Sequence, residues 1–257
     1  MRCLPAAMLL VLAWAGPAPG AEGEVPIERF AKLTRDTKAA RAETAIELAH
    51  PERDLGIEMT GTLWLDVATG RMRVRAVITK GEEAGKGATI LLRPDGLVRW
   101  RWTKDGPTDV SRDLKRTARP GQLKPSDDLA PVNPLLDAAL GYPHLAREAT
   151  LVKTTSPLKQ KDELVWVEVR RKPGLEHTVF FRSTFLRAPG ARLLVGFSGK
   201  TGWPMAWQIR TDALTFTLRV TKLDLGPDLD GAFDIADDVR ATLEQKEEGG
   251  VGTPEAE

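Results

Sequence analysis

Three observations predict a mainly β protein: a curled antiparallel sheet (an unclosed β-barrel) with two or three short helices on its concave side. About ten segments alternate apolar and polar residues, short turn signals separate them, and helical spacing is confined to brief stretches between groups of strands. The clearest segment is 202–220. Trp203, Met205, Trp207 and Ile209 occupy alternate positions, and after Thr211-Asp212 so do Leu214, Phe216, Leu218 and Val220. A strand sends successive side chains to opposite faces, so this is a half-buried hairpin. A two-sheet sandwich is the alternative, but it leaves the helix expected at 131–140 outside its sheets.

The elements follow in order. Ile27, Phe30, Ala31 and Leu33 recur at helical spacing after Pro26, so a helix over 26–35 lays Ile27, Phe30 and Leu33 on the sheet. Over 40–48, Ala42, Thr44, Ile46 and Leu48 alternate with charged residues; a strand is expected, with a helix competing because Ala and Glu favour one. Met59, Gly61, Leu63, Leu65 and Val67 line one face of a strand that turns at Thr69-Gly70. Met72, Val74, Ala76 and Ile78 answer them, while Arg71, Arg73 and Arg75 take the other side. Residues 89–92 follow a glycine-rich loop, and past Pro94-Asp95-Gly96 the pair Trp100 and Trp102 alternates with Arg99 and Arg101.

Residues 108–129 are charged and broken by Pro120, Gly121 and Pro125, and read as a long loop with a helical turn at 110–116. A second apolar helix over 131–140 carries Leu135, Leu136, Ala139 and Leu140 and stops at Gly141. Strands resume at 150–154, 163–171 (with Trp166), 176–187 and 191–197, and 228–235 closes the domain. Residues 21–240 are read as one β domain and 241–257 as a disordered tail.

The first twenty residues stand apart. Arg2 precedes the apolar run 6–15, and Ala18-Pro19-Gly20 before Ala21 fits a small-residue cleavage site, the pattern of a secretory signal peptide. The run is well short of the roughly 20 residues that span a bilayer. Periplasmic export is therefore expected. The only cysteine, Cys3, falls inside that leader, so the exported chain has no disulfide or cysteine-based metal site. Without Arg2 the charges balance at 36 basic and 36 acidic, which disfavours a nucleic-acid partner.

A catalytic constellation is not apparent. His50, His144 and His177 are scattered, so no metal or cofactor is expected. The serines lie outside any nucleophile elbow, and Asp127-Asp128 and Asp237-Asp238 suit loops or helix caps. The aromatic usage is distinctive: seven Trp and seven Phe against one Tyr, with Trp64, Trp100, Trp102, Trp166, Trp203 and Trp207 in alternating strands. They either fill a core or line a cavity for an apolar ligand.

Several stretches resemble the family of periplasmic lipoprotein carriers and outer-membrane lipoprotein-sorting proteins (LolA-like). They are Gly61-Thr62-Leu63-Trp64-Leu65, Asp95-Gly96 followed by Trp100-Arg101-Trp102, Asn133-Pro134-Leu135-Leu136, Gly202-Trp203-Pro204, and the closing Phe233. The resemblance implies an unclosed barrel holding lipoprotein acyl chains or lipids in a hydrophobic cavity, with an inner- or outer-membrane receptor as a further partner. The implied ligand-binding set is Phe30, Leu63, Leu65, Trp100, Trp102, Leu135, Trp166, Trp207, Phe216 and Leu218. The family arginine that holds a helical lid has Ala68-Thr69-Gly70 in its place here; Arg71 is the nearest candidate for that contact. A non-enzymatic, monomeric carrier is thus one expectation, and a protein-interaction or envelope-stress sensor module on the same fold is the other.

Overall fold

Alternation of side chains dictates one long sheet whose two faces must each be covered. The computed structural model describes residues 23–50, 53–120, 123, 127–158, 163–175, 178, 184–188 and 190–249. The leader 1–20 lies outside them. Eleven antiparallel strands form a single unclosed sheet: β1 (Ala39–His50), β2 (Arg53–Asp66), β3 (Arg71–Lys80), β4 (Gly87–Arg93), β5 (Gly96–Thr103), β6 (Gly106–Asp113), β7 (Ala149–Lys153), β8 (Leu164–Arg171), β9 (Arg192–Ser198), β10 (Pro204–Arg210) and β11 (Thr215–Leu225). Their spatial order is β6-β5-β4-β3-β2-β1-β11-β10-β9-β8-β7. First and last strands therefore meet at mid-sheet, with Ile46 opposite Leu218 and Leu48 opposite Phe216.

Three helices cover the inner, concave face. They are α1 (Glu28–Thr34), α2 (Asn133–Ala139), preceded by a 3-10 turn Asp127–Val132, and α3 (Pro143–Glu148). Helix α1 turns Ile27, Phe30 and Thr34 inward; Leu33, expected on the sheet, is 46% exposed. Helix α3 was not expected separately. Gly141 (φ 77°) and Tyr142 (φ 62°) stop α2 with left-handed backbone, and Pro143 restarts a helix at its first turn.

The N-cap residue of α3, Tyr142, makes no side-chain cap bond. Asp137, fully buried on α2, supplies it instead. Its Oδ1 accepts from the His144 backbone N–H (3.1 Å) and from His144 Nδ1 (2.9 Å), and its Oδ2 accepts from the Leu145 N–H (2.9 Å). Since an ionised carboxylate only accepts, the His144 proton on this side is assigned to Nδ1.

Three sequence expectations need correction. Residues 106–113 form the edge strand β6 and not a loop or helical turn; only Val110 of its side chains is buried, which is why its alternation is weak. The expected strand at 176–187 lies largely outside the described residues, and its end forms helix α4 (Thr184–Arg187). The expected disordered tail begins as helix α5 (Asp237–Gly249), with Val239 and Leu243 buried; 250–257 lie outside the described residues. Helix α5 lies on the face opposite to α1–α3. It packs with Phe233 against Leu91, Val98, Trp100 and Val110 on the outer face.

Two glycines make the outer aromatics possible. Gly87 stands opposite Trp102 and Gly196 opposite Trp166; a Cβ at Gly196 would lie 2.8 Å from the Trp166 indole, and one at Gly87 would overlap Trp102. Each indole occupies space that a side chain on its glycine partner would need.

Asp137→Ala strips two α3 amides of their acceptor and is expected to lower stability by about 3 kcal/mol in urea unfolding. His144→Ala, which removes one of three bonds, is expected to cost about 1 kcal/mol.

Candidate functional site

Side-chain bulk divides the inner face into a filled half and a hollow half. On β8–β11, Val195, Phe197, Trp207 and Leu218 pack with Phe30, Leu135, Tyr142 and Trp203 and are sealed from solvent. The Phe30 ring stacks on Phe197 with centroids 4.3 Å apart at 14°, and Tyr142 meets Phe197 edge-on at 5.6 Å and 75°. The Tyr142 hydroxyl donates to the Gly202 carbonyl at 2.6 Å. Burial, helped by the nearby Asp137 charge, pushes the Tyr142 phenol well above its ordinary pKa, so it serves as a neutral donor. Gly202 has φ 73°, and a Cβ there would sit 2.6 Å from the Phe30 carbonyl oxygen; glycine lets α1 seat on the β9–β10 turn.

On β1–β4 one cross-strand row has no bulk. Thr44, Gly61, Ala76 and Ala88 stand opposite one another across four consecutive strands. The flanking rows, Ile46–Met59–Ile78 and Leu63–Val74–Ile90, are large. Below Leu129, Pro131 and Val132, and beside Phe216, the small row leaves an apolar hollow of about 200 Å³. A wider pocket of about 430 Å³ shares Met59, Ala76 and Ala88 with it and reaches Lys86 and Arg101. At that mouth Lys86 pairs with Glu83 (2.8 Å) and Arg101 with Asp109 (3.7 Å), all four exposed. The result is an apolar floor opening toward exposed charge.

The sequence-predicted site residues divide. Leu63 and Phe216 line the hollow. Phe30, Leu65, Leu135, Trp207 and Leu218 share the same inner core but are packed solid. Trp100 and Trp102 lie on the outer face beneath α5, although Trp102 also edges the wider pocket. Trp166 belongs to a separate outer cluster with Leu194 and Ala206. Alternation explains the division: Trp64, Trp100, Trp102 and Trp166 occupy the opposite parity to Leu63 and Val167. Arg71 instead pairs with Asp66 at 2.8 Å and lies over the Phe233 ring at 4.6 Å, on the outer face.

Sequence reasoning missed the small row because it weighed large residues and not their absence. The signal was present, in small residues at the inward positions of four strands, but it becomes visible only once register is known. Two further features are buried: the indole N–H groups of Trp203 and Trp207 have no acceptor among the described residues. Among those residues no group of three or more His, Cys, Asp or Glu is placed to hold a metal ion.

No family model matches the chain, and no curated protein matches it. Solved structures do. A LolA superfamily protein from Nitrosomonas europaea aligns at 10% identity over 81% of this chain and 96% of that one, with TM-score 0.36. An outer-membrane lipoprotein-sorting protein domain from Vibrio parahaemolyticus aligns at 10% identity over 87% and 99%, with TM-score 0.34. The MucA/MucB complex of Pseudomonas aeruginosa aligns at 13% over 82% of this chain and 60% of that one, with TM-score 0.36.

Filling the small row tests whether the hollow is real in solution. Ala76→Leu is expected to raise the stability of the ligand-free protein by about 1 kcal/mol, read as an increase in the urea midpoint at unchanged slope. A small-to-large change in a filled core does the opposite.

Proposed function

We propose that the protein is a periplasmic binder of acyl chains, borne by lipids or lipoproteins, which it shields in the inner-face hollow during transport toward the outer membrane. The observation that carries this reading is the Thr44–Gly61–Ala76–Ala88 row. An apolar void costs roughly 24 cal/mol per Å³, so a sheet that keeps a hollow does so against its own stability. Cavities of about 150 Å³ hold benzene; a hollow of about 200 Å³ suits the end of one chain, with the rest along the wider pocket. A polar head at the mouth then meets Lys86 and Arg101. Burying about five methylenes at about 0.8 kcal/mol each supplies about 4 kcal/mol without any charge. The signal peptide read at 1–20 supports export, and a membrane receptor for loading or delivery belongs to the same proposal.

A fluorescent fatty acid titrated into the exported form is expected to bind saturably, and Ala76→Leu to weaken it tenfold or more while stabilising the protein. Lack of binding, together with no lipid in native mass spectra of the purified protein, sinks the proposal. A second reading, a protein-interaction module, is favoured by a groove of about 820 Å³ beside β11. There Val220–Leu225 pair with β1 but have no partner on the β10 side among the described residues, and Lys200, Arg219 and Lys222 outnumber Glu163. An acidic extended peptide that binds there regardless of Ala76→Leu, in a protein that takes no fatty acid, supports that second reading.

A further inference from the structure

The outer face carries a second constellation, which shares Arg75 with the lining of the hollow and Trp102 with the wider pocket. Arg73 lies over Trp64 at 5.5 Å and near Trp100 at 5.9 Å, and Arg75 lies over Trp102 at 4.8 Å. Cross-strand register produces this: Arg73 stands opposite Trp64, and Arg75 opposite Thr89, which is itself opposite Trp100. Between the two arginines, Thr89, the two indoles and the first turn of α5 is a pocket of about 280 Å³.

These guanidiniums differ from several others on the sheet. Arg71 pairs with Asp66, Arg93 and Arg112 with Asp95, and Arg170 and Arg192 with Glu168. Arg73 and Arg75 have no acid within ion-pair distance among the described residues. The Arg73 Nη1 donates to the Ala232 carbonyl at 3.1 Å, while its buried Nε–H has no acceptor. Stacking occupies the flat face of a guanidinium and leaves its in-plane N–H edge free, the edge that takes an oxyanion in two parallel bonds. Burial, with the charge of Arg75 adding, pulls the Arg73 pKa below its usual value, and the Asp234 carboxylate only partly offsets this.

We infer that this pocket binds an oxyanion, a phosphate or carboxylate group, between Arg73 and Arg75, with the apolar part of its carrier against Trp100 and Trp102. Ala236, Asp238 and Val239, at the start of α5, close the pocket on the side away from the sheet. The acid in the lining, Asp238, is exposed, accepts the Val239 N–H at 2.8 Å and opposes the anion from the solvent side.

The test follows the indole N–H resonances of Trp100 and Trp102 while sodium phosphate replaces sodium chloride at constant ionic strength. Co-sedimentation with phosphatidylglycerol and phosphatidylcholine vesicles runs beside it. Saturable shifts at these two indoles are expected with phosphate. Arg75→Gln, at an exposed position that spares the fold, should weaken binding tenfold or more; Arg75→Lys should recover only part; Asp238→Asn should tighten it. Phosphate binding without vesicle binding identifies a free anion. Arg75-dependent binding to phosphatidylglycerol alone identifies a lipid headgroup, and both results support the site. If neither probe binds, or if binding survives Arg75→Gln unchanged, the inference is overturned.

Discussion

An open sheet of eleven strands has two faces and two edges, and water is excluded from each face only by what the rest of the chain lays over it. That constraint orders the molecule. The inner face takes α1, α2 and α3. The outer face, around β4–β6, takes α5 and the segment ending at Phe233, which Arg71 and Arg73 hold by a ring contact and a hydrogen bond. Elsewhere the sheet covers itself: Trp166 fills the space over Gly196 and packs with Leu194 and Ala206.

The inner helices are short, between six and seven residues, and isolated helices of that length do not persist in water. Tertiary bonds hold them. Asp137 reaches from α2 to cap α3, the Tyr142 hydroxyl crosses to Gly202, and Gly202 makes room for the backbone of α1. The three helices are thus fastened at one corner of the sheet, over β9 and β10. At the other end of the inner face, above the small row, Leu129, Pro131 and Val132 of the 3-10 turn cover the hollow. Rigidity and vacancy occupy opposite halves of one surface.

Much of this was legible in the sequence. Alternation located ten of the strands approximately, because a half-buried strand writes its orientation into every second residue. The strand β6 escaped because an edge strand with one buried side chain, Val110, writes almost nothing. Helix α5 escaped because Val239 and Leu243, its buried anchors, stand in a run of charges, so its composition resembled a solvated tail. The site was less legible than the fold. The tryptophans drew attention because they are large, yet parity placed Trp100, Trp102 and Trp166 outside, and nothing in a single strand says which of its faces is inner. Thr44, Gly61, Ala76 and Ala88 are unremarkable one at a time; they acquire meaning as a row, and a row is a property of register.

The seam between β1 and β11 sets how such a molecule is assembled. The Thr221 hydroxyl donates to the Glu43 carbonyl across 178 residues of chain, and the Gly226 N–H closes onto the Ala39 carbonyl at 2.9 Å. Each half of the sheet is contiguous in sequence, β1–β6 and then β7–β11, so each can zip by local hairpins before the halves meet. The union itself waits for nearly the last strand to emerge. A chain cut short before β11 is left with the bare flank of β1, a ready template for the wrong neighbour. Rejoining the ends beside Ala39 and Leu225 while opening the chain between β6 and β7 would preserve every strand pairing, making this a fold whose beginning and end are interchangeable with its middle.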